Sequence, residues 1–253
     1  MIRESEYFHF AGRKSTDFKG IINVSVAEGL FSENVVAPKT INEVFIPGRT
    51  DPYFMGVEEQ PKTIQLRFGF RYGWDDQMID EIVRWLNVDT YQPLWFEGNN
   101  DKVFHVIPVD GIEKIHNGIK EGYLELNMRC SSSRVSSHKM FSPVYKTDEI
   151  DTVMIANKGH FSTFPEIWIE KTDEGDIEIY NTTNKNTLFK IENVEVGEKL
   201  YIDCEHEIID TDKEKTYHYD NFNDNYLEFV YGENILKFSK NMKIRFRYRY
   251  IFS

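Results

Sequence analysis

The chain has little cysteine and no long apolar run. Of its 253 residues only two are cysteines, Cys130 and Cys204, which lie far apart and outside any metal-ligand spacing. This argues against a disulfide framework or a zinc site, and we expect two reduced thiols. No apolar run approaches the roughly 20 residues needed to cross a bilayer, and the N-terminus, MIRESEYFHF, lacks the form of a signal peptide. We therefore expect a soluble protein, made in a cytoplasm, that does not insert into a membrane.

Positive charge is also scarce. The chain has 30 Lys and Arg residues against 42 Asp and Glu residues, which gives a formal net charge of −12. Because affinity for phosphate groups depends on clustered Lys and Arg, this balance disfavours a general nucleic-acid-binding protein. It does not prevent DNA from passing nearby without binding.

Catalytic motifs are missing as well. The chain has no glycine-rich phosphate loop and no nucleophile elbow, and its seven histidines are scattered. Residues 206–209 begin like a zinc-protease motif, but Asp210 stands where the second histidine belongs. The acidic residues 173–176 predict a hairpin turn rather than a calcium loop. We predict a protein that is not an enzyme, with no catalytic residue, no metal site and no cofactor.

The sequence does contain one convincing helix, which is predicted to begin after Trp74 and to end near Asn87. Its apolar residues recur at the spacing that lines one face of a helix with 3.6 residues per turn. Asp75 is placed to cap the first turn by accepting hydrogen bonds from free backbone N–H groups. The residues predicted to face a sheet are Met78, Ile79, Ile82, Val83 and Leu86.

Strands are predicted on both sides of this helix. Residues 62–72 and 122–130 alternate apolar and polar side chains. Residues 93–97 and 102–109 flank the turn Gly98–Asp101, which is a hairpin signal. The order of strands, helix and strands predicts an α+β domain over residues 1–133. The domain ends in a linker, since residues 131–138 contain five serines.

Residues 134–253 read as a second domain, with strand-length segments separated by turns and no helical period. This pattern predicts an antiparallel β-sandwich and a chain that is mainly β. Four basic residues at positions 243–249 alternate with apolar residues, and we expect them to lie near the acidic residues Asp203, Glu205 and Glu207. The predicted strands are 154–156, 166–171, 176–181, 187–191, 199–208, 217–219, 234–238 and 242–252.

Residues 30–61 carry many apolar side chains without a clear period and with several turn formers. A segment of this kind rarely lies inside a compact core, so we predict a protruding hairpin whose apolar side chains are covered by a partner. The alternative is a long hairpin that folds back on its own domain. The predicted interface residues are Phe31, Val35, Val36, Ile41, Val44, Phe45, Ile46, Tyr53 and Phe54.

A second candidate site lies in the second domain. Trp168, with nearby Tyr180, could form an aromatic platform for a sugar. Trp168 lies between Ile167 and Ile169 in an apolar strand, however, and this favours a position in the core. The alternative function that follows is a carbohydrate-binding module that recognises a host cell-wall glycan through the sandwich domain.

Several stretches together resemble a known family. YFHFAGRKSTDF, EVFIPGRTDPYF, DDQMIDEIVRWLN and PLWFEGNNDKVFHVIPVDGIEK are similar to the N-terminal domain of the distal tail protein (Dit) family of siphophages. Residues 157–205 resemble the galectin-like C-terminal domain of that family. The resemblance covers nearly the whole chain, and it rests on the order of these features rather than on a single motif.

The resemblance implies a structural protein of the virion. Dit proteins form homo-hexameric rings at the distal end of the tail and join the major tail-tube protein to the tail-tip or baseplate hub protein. DNA crosses the channel of the ring without specific binding, which agrees with the acidic balance of this chain. Residues 30–61 would be the belt-like hairpin that embraces the neighbouring subunit. The protein would be synthesised and assembled in the cytoplasm of the host bacterium.

Overall fold

The computed structural model describes residues 7–23 and 36–253. The chain forms two compact units, of which the first ends at Ser137 and the second begins at His138. Each unit is built mainly from antiparallel strands, which confirms the prediction of a mainly β protein. Within the described ranges, no helix is long and apolar enough to cross a bilayer.

The first unit contains ten strands and one α-helix in its described residues. In chain order they are β1 (Phe8–Phe10), β2 (Arg13–Lys14), β3 (Ile21–Asn23), β4 (Lys39–Val44), β5 (Tyr53–Glu59), β6 (Thr63–Phe70), α1 (Asp76–Leu86), β7 (Gln92–Phe96), β8 (Asn99–His116), β9 (Gly122–Cys130) and β10 (Val135–Ser136).

Most of these strands form one sheet, in the order β2-β1-β7-β8-β9-β6-β3, with β10 beside β8. The alternation predicted for residues 62–72 and 122–130 is confirmed, because every second residue of β6 and β9 is buried. The buried residues also meet across the two strands, since Leu66 lies opposite Leu126 and Phe68 lies opposite Leu124. Strands β4 and β5 form a separate two-stranded sheet.

The main sheet curves strongly. Strands β1 and β6 are separated by three other strands, which in a flat sheet would place them about 19 Å apart. Nevertheless, the ring centroids of Phe8 in β1 and Phe68 in β6 are only 5.7 Å apart. The sheet therefore folds around its apolar face and forms a concave surface that receives the helix.

The helix α1 packs on this surface through Ile82, Trp85 and Leu86, which are buried. Its predicted cap is confirmed, because the backbone N–H of Met78 donates to Asp75 Oδ1 at 2.7 Å. The prediction that Val83 faces the sheet is wrong, since this residue is 44% exposed. The apolar face of the helix is thus wider than the part of it that the sheet buries.

The hairpin after the helix differs from the prediction in two ways. The turn lies at Glu97 and Gly98 instead of Gly98–Asp101, because Phe96 already pairs with Asn99. The second strand continues to His116 and pairs first with β7 and then with β9. This extension was missed because Pro108 and Gly111 interrupt the pattern, and a bulge between Val109 and Ile112 accommodates the interruption.

The second unit contains eleven strands. They are β11 (Met140–Phe141), β12 (Tyr145–Lys146), β13 (Thr152–Asn157), β14 (Glu166–Lys171), β15 (Ile177–Asn181), β16 (Thr187–Ile191), β17 (Lys199–Asp203), β18 (Ile208–Thr211), β19 (Gly232–Phe238), β20 (Met242–Tyr248) and β21 (Ile251–Phe252).

Two antiparallel sheets face each other in this unit, as predicted for a sandwich. One has the order β11-β20-β14-β17-β18, with β12 also paired to β20, and the other has the order β13-β19-β15-β16. Buried apolar residues from both sheets form one core cluster. The ring of Phe246 in β20 lies 6.4 Å from that of Phe238 in β19, so the two sheets are in direct contact.

Three predicted strands of the second unit need correction. The segment 199–208 is two strands joined by a turn, because Asp203 Oδ1 accepts the backbone N–H groups of Glu205 and His206 and bends the chain. The segment 217–219 is not a strand, and Tyr219–Asn221 form a 3-10 turn. The last strand stops at Tyr248 and resumes at Ile251–Phe252.

The expected proximity of the basic and acidic strands is confirmed, since β20 and β17 belong to one sheet with only β14 between them. Arg249 donates to both carboxylate oxygens of Glu205, at 2.9 and 3.0 Å. Two of the four basic residues nevertheless find their partners in β14, where Glu170 pairs with Lys243 and Glu166 pairs with Arg247. The carboxylate of Asp203 instead contacts the ring of His206.

Candidate interaction surfaces

The candidate site of the first unit is the hairpin of β4 and β5, residues 38–60, which we call the arm. Its strands are held in register by antiparallel pairs that include Ile41 with Val57 and Val44 with Tyr53. At the tip, the N–H of Arg49 donates to the carbonyl of Ile46 at 3.1 Å. Between them lie Pro47 and Gly48, and the glycine has a φ of +89°. Proline followed by a glycine with positive φ is the composition of a type II turn.

A bulge interrupts the arm near its middle. Asn42 pairs with Gly56, whereas the next residue, Glu43, pairs with Phe54, so Met55 is the extra residue of β5. Residues of a strand point alternately to its two faces, and the bulge preserves this alternation in β4. Ile41, Val57 and Phe54 therefore lie on one face of the arm, and Val44 and Tyr53 lie on the other.

Both faces of the arm are exposed to solvent. Its large apolar residues are between 43% and 72% exposed, and the highest value belongs to Phe45 at the tip. A two-stranded hairpin is at best marginally stable in water by itself, and contiguous apolar patches on soluble proteins mark interaction sites. The exposed apolar residues of the arm are Ile41, Val44, Phe45, Ile46, Tyr53, Phe54, Met55 and Val57.

The base of the arm is fixed to the first unit. The N–H of Gln60 donates to the carbonyl of Pro38 at 2.8 Å. Glu59 accepts a hydrogen bond from Ser133 Oγ at 3.1 Å and lies 3.4 Å from the ammonium group of Lys39. These two groups lower the pKa of Glu59, with the hydrogen bond from Ser133 as the larger cause. The carboxylate therefore stays charged and ties the root of β5 to both β4 and the end of the unit.

Seven of the nine predicted interface residues lie in the described part of the chain, and all seven are exposed. Phe31 and Val35 lie outside the described residues. The alternative of a hairpin folded back on its own domain is wrong for the arm, because such packing would bury one of its faces. Met55 and Val57 complete the apolar surface and were missing from the predicted set. The strand alternation of β5 could have identified Val57, which lies opposite Ile41.

A second apolar surface of the first unit lies beside the helix. It is a groove of about 510 Å³ between α1 and the strands β8 and β9. Val83, the helix residue that the sheet leaves uncovered, lines one wall. The opposite wall contains the bulge of β8, where Asp110 and Gly111 have φ values of +62° and +79°. We call this surface the helix groove, and its apolar lining is Ile79, Val83, Leu86, Val88, Pro108, Val109, Ile112 and Leu124.

In the second unit, Trp168 and Tyr180 are not brought together. Trp168 lies in β14 between the buried residues Ile167 and Ile169, so its side chain is on the outer face of that sheet. Tyr180 lies in β15 of the other sheet, also on an outer face, beside the buried residue Ile179. The two aromatic rings thus lie on opposite outer faces of the sandwich. The prediction that Trp168 is a core residue is also wrong, since it is only half-buried.

Trp168 belongs to a cluster of aromatic and charged side chains. Its ring centroid is 5.1 Å from that of Tyr201 and 5.9 Å from that of Phe141, and the guanidinium group of Arg247 lies 5.1 Å from its centroid. A groove of about 490 Å³ runs along this side of the sheet. The arginine covers part of the indole surface, so the ring is less available for stacking on a sugar.

The buried carboxylate of Glu166 holds this cluster together. It accepts hydrogen bonds from Lys139 at 2.6 Å, from the hydroxyl of Tyr201 at 2.9 Å and from Arg247. Burial acts to raise the pKa of Glu166, but the three hydrogen bonds outweigh it and lower the pKa to about 2. Burial and the bond to Glu166 in turn raise the pKa of Tyr201 to about 12. The arrangement stabilises the outer face of the sheet.

Within the described part of the chain, cysteine and histidine side chains are absent from the linings of both grooves. Cys130 and Cys204 are buried, and burial raises the pKa of the Cys130 thiol to about 11 and that of Cys204 to about 12. His206 is largely exposed and is held by Asp203. In residues 7–23 and 36–253, His, Cys, Asp and Glu side chains form no group of three or more that could hold a metal ion.

The structure is similar to that of SPP1 Dit (gp 19.1), described as a paradigm of the hub adsorption apparatus in phages that infect Gram-positive bacteria. The TM-score is 0.68 at 13% sequence identity, over 96% of this chain and 98% of that chain. A chain of the phage P2 baseplate in its activated conformation with Ca matches with a TM-score of 0.47 and 8% identity, over 96% of this chain and 97% of that chain.

Sequence comparison finds a relative over the full length. The SPbeta prophage-derived uncharacterized protein YomH of Bacillus subtilis (strain 168) is 29% identical over 250 residues, which are 99% of both chains. Residues 3–132 match the family model of a phage tail protein N-terminal domain, and residues 136–248 match that of a phage tail C-terminal domain. The predicted resemblance to the Dit proteins is thereby confirmed. The chain belongs to this family of phage tail proteins.

Proposed function

We propose that this protein is a structural component of a long non-contractile phage tail that acts without enzymatic activity. Six copies form a ring at the distal end of the tail. The ring joins the major tail-tube protein to the tail-tip hub protein, and DNA crosses its channel. The membership in a phage tail family and the Dit-like fold support this assignment. The protein would then reside in the virion after assembly in the host cytoplasm.

The observation that carries the ring proposal is the arm. It presents apolar residues on two opposite faces and is anchored only at its base. A surface of this form suits insertion into another subunit, where both faces are covered. If each of the three aromatic residues of the arm carries about 200 Å² of side-chain surface, the exposed fractions of Phe45, Tyr53 and Phe54 offer on the order of 400 Å². A standard protein interface takes about 800 Å² from each partner, so the aromatic residues of the arm alone can supply about half of one side of a subunit contact.

The experiment is the mass of the purified full-length protein in solution, by light scattering and native mass spectrometry. We expect a homogeneous hexamer. A monomer at all accessible concentrations would contradict the proposal, and a monomer that binds cell-wall polysaccharide would instead favour a carbohydrate-binding module. That alternative now lacks its predicted platform, because Trp168 and Tyr180 lie on opposite faces of the sandwich.

A matched pair of variants tests the role of the arm. Phe45 is 72% exposed in the arm and Tyr231 is 71% exposed in the second unit. Covering about 140 Å² of Phe45 surface would contribute about 3 kcal/mol, so Phe45→Ser should weaken each subunit contact about 150-fold. Tyr231→Ser should leave the hexamer intact. Equal assembly of the two variants would show that Phe45 lies outside the interface.

A further inference from the structure

A ring of identical subunits requires two different surfaces on each subunit. In a head-to-tail contact, one patch of a subunit meets a different patch of its neighbour, and the ring closes when the rotation fits. The arm supplies one of these patches. The structure of the first unit offers a second one in the helix groove.

The helix groove is an apolar surface that the first unit does not cover itself. Val83 continues the buried stripe of α1, yet it is 44% exposed. The wall opposite the helix is formed by Val109 and Ile112, on either side of the β8 bulge. In a soluble protein, an apolar stripe that continues past its own core indicates that a partner packs against the remainder.

The arm and the groove complement each other in chemistry. The arm tip is apolar at Phe45 and Ile46 and carries one positive and one negative side chain, Arg49 and Asp51. The groove is apolar along both walls and carries Asp110 at the bulge of β8. Lys114 also lines the groove, but its ammonium group lies over the ring of Trp74, 5.9 Å from the centroid. The groove thus offers the arm an apolar floor and a carboxylate at its edge.

We propose that the helix groove receives the arm tip of the neighbouring copy of this chain, with Phe45 and Ile46 packed against Val83, Val109 and Ile112. This inference rests on the proposed ring and names the surface that accepts the arm. It also gives Val83 a role, because the side chain that the sheet leaves exposed becomes covered in the assembly.

The first test is cross-linking in the full-length hexamer. A variant with Phe45→Cys and Val83→Cys, treated with a short bis-maleimide reagent, should give a ladder of covalent oligomers up to the full ring. Each single-cysteine variant should stay monomeric on a denaturing gel, because identical positions do not meet in a head-to-tail contact. Cys130 and Cys204 should contribute little background, since both are buried. A double variant that shows no ladder would overturn the inference.

The second test is complementation between two broken subunits. Phe45→Asp damages the arm, and Val83→Asp damages the groove by placing a carboxylate in an apolar contact. Each variant alone should be monomeric with the wild-type circular dichroism spectrum, because both residues are exposed in the monomer. When mixed, they should form one-to-one heterodimers, since the Val83→Asp subunit keeps its arm and the Phe45→Asp subunit keeps its groove.

The outcomes separate this inference from the proposed function. If the wild-type protein is a hexamer, the Val83→Asp variant stays hexameric and the Phe45→Asp variant dissociates, the arm binds at a different surface. This result would overturn the inference, and the proposed ring would stand. A wild-type protein that is monomeric would remove both. A mixture of the two variants that contains no heterodimer would also contradict the head-to-tail pairing of arm and groove. We expect Val83→Asp to reduce subunit association about 100-fold or more.

Discussion

Trp85 is the residue on which the stability of the first unit depends most clearly. It is 6% exposed, and its ring centroid lies within 5.0–6.0 Å of those of Phe8, Phe10 and Phe18. Its indole N–H donates to the carbonyl of Phe10 at 2.9 Å. The side chain therefore connects α1 to β1 through both aromatic packing and a buried hydrogen bond.

The substitution Trp85→Ala removes all of these contacts. Truncation of a buried tryptophan costs about 3–5 kcal/mol, and the loss of a buried hydrogen bond costs about 1 kcal/mol more. The sum is a substantial part of the 5–15 kcal/mol that typically stabilises a whole domain. Gln77→Ala on the same helix is the control, because Gln77 is exposed and lies outside the helix groove, and its truncation should change stability by no more than about 0.5 kcal/mol.

Hydrogen–deuterium exchange of the full-length protein can localise the effect. A loss of about 4 kcal/mol should accelerate exchange of the most protected amides of β6 and β9 about 1,000-fold. Amides in β14 and β20 of the second unit should keep their wild-type rates. If the amide exchange rates in β6 of Trp85→Ala stay within tenfold of the wild-type rates, the packing of the helix does not stabilise this sheet. A variant that folds normally but no longer assembles would instead place Trp85 in the subunit interface.

Two further predictions concern local chemistry. Glu166 has a pKa of about 2 in the folded protein against an ordinary value of 4.5, so its stabilisation is complete above pH 4.5 and disappears as the pH falls to 2. Urea unfolding should show that the free energy of unfolding falls by about 3 kcal/mol over this range. Glu166→Gln should abolish this loss, and Glu170→Gln, at a side chain that is 41% exposed, should not. Gly122→Ala should lower the urea midpoint more than Gly118→Ala. Both glycines have positive φ, but a Cβ at Gly122 would lie 1.9 Å from the backbone carbonyl oxygen of Ile115, whereas a Cβ at Gly118 would meet no atom within 4 Å. Equal midpoints would show that this turn relaxes without cost.

The features that could be predicted from the sequence depend on neighbours along the chain. Asp75 caps α1 because its side chain reaches an N–H group three residues later, and that spacing is visible in the sequence. The bounds of β9 agree with the prediction because residues 122–130 alternate without interruption. Exposure of the arm was also predictable, since an aperiodic apolar segment cannot form one buried face.

The features that could not be predicted depend on distant parts of the chain. The spacing on α1 identifies an apolar stripe, but the width that becomes buried is set by the curvature of a sheet that pairs strands far apart in sequence, such as β1 with β7 and β6 with β9. Val83 falls outside that width. The apolar neighbours of Trp168 along its strand favour a position in the core, although the alternation between Ile167 and Ile169 points its side chain outward. A sandwich covers only one face of each sheet, so the outward residue stays half-exposed.

The residues of the arm that would bind a neighbouring subunit are not the residues that stabilise the first unit. Its root is tied by Glu59, Lys39 and Ser133, and the Pro47–Gly48 turn sets the pairing of its strands, so the hairpin is largely formed before it meets a partner. A preformed element loses less conformational entropy on binding than a disordered one. Its apolar side chains contribute nothing to the core of the first unit. Substitutions at the tip should therefore change the affinity between subunits and leave the unfolding of each unit unaltered, whereas Trp85 affects assembly only through the fold.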